Sequence, residues 1–214
     1  MQPITALLFG ALAGIPARFA AGRLIADRVE APLSGMLLNG RFSLAVWAGG
    51  SGLGWCLIAL CMKNASFAEL IFPLAIFELV LCLSAVDSLI KKIPNELLIS
   101  LILVFLASRL TAGGFAGFQD NLIGAAVATV VFLIPSRLGM NVGWGDVKYA
   151  FVIGLCFGIL NFLQTMLVMA AGLGVYALVL TVTKKGGLKT KAPMGPYLSL
   201  GVVTTLLFPV LQRI

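Results

Sequence analysis

Polar and charged residues interrupt the chain at intervals that leave eight apolar stretches, near residues 3–22, 43–62, 68–88, 95–111, 120–136, 146–161, 162–183 and 193–211. A helix needs about 20 largely apolar residues to cross a bilayer, and each stretch is of that order. The pattern predicts an all-α polytopic membrane protein with about eight transmembrane helices. Clusters of Gly, Pro, Asn and charged side chains, the usual chain breakers, mark the gaps. The boundary between the sixth and seventh stretches is the exception. Gly158 to Gln164 offers only Asn161 and Gln164 as polar punctuation, so the turn there must be very short.

Orientation follows from the basic residues, because Lys and Arg accumulate on the cytoplasmic side of short loops. With the N-terminus outside, the inner loops and helix ends hold Arg18, Arg23, Arg28, Arg41, Lys91, Lys92, Arg137, Lys148, Lys184, Lys185, Lys189 and Lys191. The outer side keeps Lys63, Arg109 and Arg213. This bias requires an even number of spans and both termini on the outer side. The longest non-spanning segment, Arg23 to Arg41, has Leu24, Ile25, Val29 and Leu33 alternating with Arg23, Asp27, Arg28 and Glu30, a pattern suited to a short interfacial helix. The run Lys184 to Lys191 is a cytoplasmic basic loop near anionic headgroups. No soluble domain or internal repeat separates out, so residues 1–214 are expected to form a single membrane domain.

Composition agrees with this reading. Of 214 residues, 60% are hydrophobic and 11% charged, with a mean hydropathy of +1.07, whereas a soluble domain has about 25% charged residues. The formal charge of +7 would suggest nucleic acid in a soluble protein; here it is the topology signal, and no nucleic-acid partner is expected beside the membrane lipids. Met1 to Ala21 has no basic segment before its apolar run, so it reads as a retained span rather than a cleavable signal. Histidine is absent, which removes His-based general bases, His metal sites and Ser-His-Asp triads. The four cysteines, Cys56, Cys61, Cys82 and Cys156, all lie in apolar runs without a C-x-x-C pair and read as small core residues.

Any catalysis must then use carboxylates, Lys, Cys, Ser or Tyr, and the eight carboxylates are few enough to weigh one at a time. Asp27 and Glu30 lie among arginines in the first inner loop. Glu69, Asp120 and Glu96 sit at helix starts, where a carboxylate suits the positive end of the helix dipole. Glu78 falls in the middle of the third span, where an unpaired charge is costly; it serves either as polar glue between helices or in substrate passage. Asp87 ends the third span, one helical turn inside Lys91-Lys92, and Pro94 suits the first turn of the next helix. Asp146 opens the sixth span, also at the inner face. Two carboxylates from separate helices therefore reach the same depth on the same side. Such a pair can activate water and protonate a leaving amine, because both do not ionise easily at once. Gly143 and Gly145, which impose no Cβ constraint, let the backbone approach a peptide or shift the aspartate. Lys148 points to a different side of the helix from Asp146.

Together these segments resemble the prepilin peptidases, the GxGD intramembrane aspartyl proteases. Asp87 followed by six residues and Pro94-Asn95 is similar to the family's first catalytic segment. Gly143-Trp-Gly-Asp146-Val-Lys148 is similar to its Gly-x-Gly-Asp-Val-Lys segment. Pro193-Met-Gly195-Pro196-Tyr-Leu resembles its Pro-Phe-Gly-Pro-Phe-Leu segment, with Met194 and Tyr197 as departures. The resemblance implies a peptidase core over residues 81–214 in which Asp87 and Asp146 are the catalytic pair. It also implies a multi-pass protein of the bacterial inner membrane, with no metal or cofactor. Its substrates would be type IV prepilins or pseudopilins, cut after a short basic leader at the cytoplasmic face, with Asp27, Glu30 or Glu96 helping to receive the leader. Residues 1–80 match less well. Gly14-Ile-Pro-Ala-Arg18-Phe stands where longer members have Gly-Ser-Phe-x-Asn-Val. The Arg23–Arg41 loop lacks the four cysteines of their zinc site, so zinc binding does not carry over and methylation of the new N-terminus is in doubt. Two other readings stay open. One is a small proton- or cation-coupled transporter using Glu78, Asp87 and Asp146; the other is a non-catalytic subunit of a pilus or secretion apparatus.

Overall fold

A computed structural model of the chain describes residues 2–29, 40–111, 114, 117–139, 142–183 and 193–208. The described residues form seven helices and no strand. The chain divides into two compact units, Met1–Gly114 and Phe115–Ile214. Five helices are long and apolar enough to cross a membrane, so this is a multi-pass membrane protein. Glu30, Pro32 and Gly35 of the first inner loop, the basic residues Lys184, Lys185, Lys189 and Lys191, and Arg213 lie outside the described residues.

The first unit contains α1 (Pro3–Ala26), α2 (Gly40–Cys61), α3 (Phe67–Ile90) and α4 (Asn95–Thr111). Helix α1 runs four residues past the predicted span, so Leu24 and Ile25 belong to it rather than to a separate interfacial helix. Large apolar side chains such as Leu8, Phe9, Leu12 and Phe19 face outward on α1, while Ala6, Gly10, Gly14 and Ala21 are buried. Small residues let two helix backbones approach closely where lipid already solvates the large ones. A methyl group at Gly14 would come within 2.5 Å of the Trp47 carbonyl oxygen on α2, and one at Gly10 within 2.7 Å of the Ser51 carbonyl oxygen. Arg18 donates from Nε to the buried Ser43 Oγ at 2.6 Å. At the start of α3, Ser66 and Glu69 form a reciprocal capping box, which satisfies two otherwise orphaned donors.

The second unit contains α5 (Phe118–Arg137), α6 (Trp144–Val182) and α7 (Gly195–Leu207). Helix α6 is broken at Gly158, whose φ of 75° and ψ of 178° belong to a region open essentially to glycine alone. The chain folds back there. Tyr149 hydrogen-bonds Ser199 and Tyr176 packs on Tyr197, two neighbouring positions on α7. On a straight helix Tyr149 and Tyr176 would lie about 40 Å apart. The first arm, 144–157, runs antiparallel to α5: Asn121 meets Leu155 near the turn, and the Arg137 guanidinium stacks 5.5 Å from the Trp144 ring at the other end. The second arm, 159–182, runs antiparallel to α7, with Thr165 bonded to Thr205 and Gly172 beneath Tyr197.

A helix break within an apolar bundle leaves carbonyls that water does not reach. Two amide side chains supply partners: Asn121 Nδ2 donates to the Leu155 carbonyl at 2.8 Å and Asn161 Nδ2 to the Phe157 carbonyl at 3.0 Å. The predicted boundary at 161/162 is thus corrected to Gly158. Asn161 and Gln164 lie past the break, where Gln164 Nε2 donates to the Phe208 carbonyl.

Candidate active site

Asp87 occupies the last turn of α3 and is 4% exposed, on the same buried side as Leu83 and Val86. The helix ends where Lys91 adopts left-handed angles (φ 52°, ψ 37°) and its N–H closes on the Asp87 carbonyl at 2.9 Å. A non-glycine residue pays a steric penalty of about 1 kcal/mol in that region. Pro94 is fully buried and stands just before α4 rather than in its first turn, its carbonyl accepting from Leu98 N–H. Asn95 is the first residue of α4. Beside it, Glu96 takes Arg28 Nη2 with both carboxylate oxygens, at 2.8 and 2.6 Å, while Arg28 Nη1 donates to the Leu24 carbonyl. Glu96 therefore does more than face a helix dipole: it ties the end of α1 to the start of α4. Asp87 shares this end of its unit with Arg28, Lys91 and Lys92.

Asp146 is the third residue of α6 and is half-buried. Its Oδ2 accepts from the Gly143 N–H at 3.0 Å, so the carboxylate folds back over the start of its own helix. A Cβ at Gly143 would stand 3.2 Å from that oxygen, a close contact to which the carboxylate would have to yield. Val147, Tyr149 and Ala150 are buried while Lys148 is exposed, so Lys148 and Asp146 lie on different sides, as the spacing predicts. Asp146 shares its end of the second unit with Arg137, Trp144 and Lys148.

Pro193 is half-buried, Gly195 is buried and begins α7, and Pro196 occupies its first turn. The Met194 carbonyl accepts from Tyr197 and Leu198 N–H. All three tyrosines of the chain, Tyr149, Tyr176 and Tyr197, gather around this end of α7. Sequence reasoning did not single out Tyr149 or Ser199; a hydroxyl in an apolar run was the available signal.

Glu78 stands nine residues before Asp87 on α3, about 13 Å along the helix, and is separate from the Asp87 turn. Its Oε2 accepts from the buried Ser51 hydroxyl of α2 at 3.1 Å. The Trp55 indole N–H of α2 lies beside the same carboxyl group, outside ideal hydrogen-bond geometry. Among the described residues no group of three or more His, Cys, Asp or Glu has a geometry that could hold a metal ion.

No curated protein matches the chain, and no solved structure does. The chain does match the type IV leader peptidase family over residues 74–182, a stretch that contains Asp87, Pro94, Asn95, Gly143, Gly145, Asp146 and Lys148. That match takes in half of the sequence, and this multi-pass protein belongs to the type IV leader peptidase family.

Proposed function

We propose that the protein is a prepilin leader peptidase in which Asp87 and Asp146 are the catalytic pair. The observation that carries this reading is their placement. Each aspartate lies within the family-matched stretch and at the end of its own unit that gathers basic side chains: Arg28, Lys91 and Lys92 for Asp87, Arg137 and Lys148 for Asp146. Basic residues favour the cytoplasmic side, so both carboxyls belong to the inner face, where water reaches the scissile bond. One carboxylate removes a proton from the attacking water and the other, protonated, delivers one to the departing amine nitrogen. The peptide carbonyl carbon gains a hydroxyl and the C–N bond breaks, with no net change in protons.

The fold-back at Gly158 makes two membrane passages of α6, and counting α4 and α7 gives eight spans with both termini outside, in a bacterial inner membrane. The substrates are type IV prepilin-like precursors whose basic leader stays cytoplasmic and whose apolar segment lies in the bilayer. Asp27 is exposed at this face, and Glu96 reaches a leader by exchanging its Arg28 partner for a basic side chain of the substrate. Lys148 contacts headgroups or the neighbouring loop, and Pro193, Gly195 and Pro196 shape the start of α7. Glu78, bonded to Ser51, joins α3 to α2.

The test is co-expression with a prepilin in bacterial membranes. Asp87→Asn and Asp146→Asn, with the matching Ala variants, should each abolish leader removal at normal protein abundance; full processing by either Asn variant overturns the assignment. Mass spectrometry of the pilin N-terminus reports the cut position and any methylation together.

A further inference from the structure

We infer that Tyr149, acting through Ser199, is a positioning residue for Asp146, an inference that rests on the proposed active site. The chain approaching Asp146 is tied to α5 by Ser136 Oγ, which donates to the Val142 carbonyl at 3.2 Å, and by Arg137 over the Trp144 ring, while Gly143 and Gly145 carry no side chain. The first turn of a helix also lacks intrahelical partners for its N–H groups and tends to fray. Contacts downstream of Asp146 therefore add to the hold that these ties provide.

Tyr149 follows Asp146 by three residues, so the two share a helix face, and Tyr149 is fully buried. Its hydroxyl lies 3.1 Å from the Ser199 hydroxyl, which is 4% exposed. Ser199 is one turn into α7, directly after the Pro193–Leu198 segment. Helix α7 is itself fixed from the second arm of α6 by the Thr165–Thr205 hydrogen bond and by Tyr197 packing on Tyr176 and over Gly172. The Tyr149–Ser199 bond closes this frame one helical turn from the carboxylate. A hydroxyl pair buried in apolar surroundings has a definite geometry, because either group left alone carries a desolvation penalty. It thus sets the register between α6 and α7, and with it the position of Asp146. Small displacements of a catalytic group reduce rate more than binding.

The experiment uses the full-length protein in lipid nanodiscs and a prepilin that it cleaves, with kcat and KM measured separately. Tyr149→Phe keeps the ring and its packing, and Ser199→Ala removes the partner. Each should lower kcat roughly tenfold with KM within about twofold, and the double variant should be no slower than the worse single one. Thermal unfolding midpoints measured alongside separate loss of positioning from loss of fold. A kcat within twofold of wild type for both single variants overturns the inference. So does an additive double variant whose losses follow the unfolding midpoints. If wild type and Asp146→Asn cleave equally, the active-site reading itself fails and this inference falls with it; if Asp146→Asn is inactive while Tyr149→Phe is fully active, only the inference fails.

Discussion

Replacing Gly158 with Ala tests the break in α6. The added methyl meets two obstacles. The backbone angles at Gly158 (φ 75°, ψ 178°) cost a residue with a Cβ about 1–3 kcal/mol. The new carbon would also land on the Asp120 carboxylate, which lies over the turn. Displacing that side chain adds little, because Asp120 is exposed and its carboxylate can swing away. The backbone term of about 1–3 kcal/mol dominates, and for a chain of this size each kcal/mol moves the unfolding midpoint by about 2–4 °C. Gly158→Ala should therefore lower the midpoint in mild detergent, followed by tryptophan fluorescence, by at least about 2 °C. Asp120→Ala alone should change little, because Asp120 is exposed. In the Gly158→Ala background it should recover little, because the backbone angles carry the cost, and a double-mutant cycle measures how small the coupling is. A Gly158→Ala protein as stable as wild type would refute the reasoning, because no continuous helix and no alanine-compatible turn has these angles.

The other predictions concern the pieces around the site. Asn121→Ala should cost about 1–3 kcal/mol by orphaning the Leu155 carbonyl, read as a lower unfolding midpoint; an unchanged midpoint would mean that water or another donor takes over. Lys91→Gly should leave stability unchanged or raise it by up to about 1 kcal/mol, since glycine carries no penalty in the left-handed region. Arg28→Glu should weaken the inner-face tie between α1 and α4, and Arg28→Glu with Glu96→Arg should restore it. The Glu96 carboxylate is mostly exposed, so the stability effect is small and should fade in high salt; a large, salt-independent loss would point to something other than the ion pair.

Helix bounds were largely legible in the sequence because lipid leaves few ways to end a helix. The stretch 95–111 coincides with α4, with Pro94 just before it, and Glu69 lies in the first turn of α3. Gly158 was harder to read. The break is made by one residue's backbone angles inside an apolar run that holds several other glycines, and the polar groups that satisfy it include Asn121 on a different helix. The site divides in the same way. Asp87 and Asp146 stand out because carboxylates are rare in the chain, and their flanking prolines and glycines form recognisable segments. The long-range contacts near them, Arg28 with Glu96 and Tyr149 with Ser199, join positions 68 and 50 residues apart. No local pattern marks such partners, because only the packing of helices against one another brings them within reach.

The two arms of α6 are unequal in length. The first, from Trp144 to Phe157, rises about 21 Å, against about 30 Å for a typical hydrocarbon core. In the proposed eight-span arrangement this arm is a passage that falls short by about 9 Å, accommodated by thinning the surrounding lipid or by drawing headgroups toward its ends, at a cost that grows with the mismatch. On that proposal acyl-chain length becomes a control on turnover. Reconstituted in progressively thicker bilayers, the protein should meet rising elastic resistance around Asp146, and its turnover should fall even though no residue has changed.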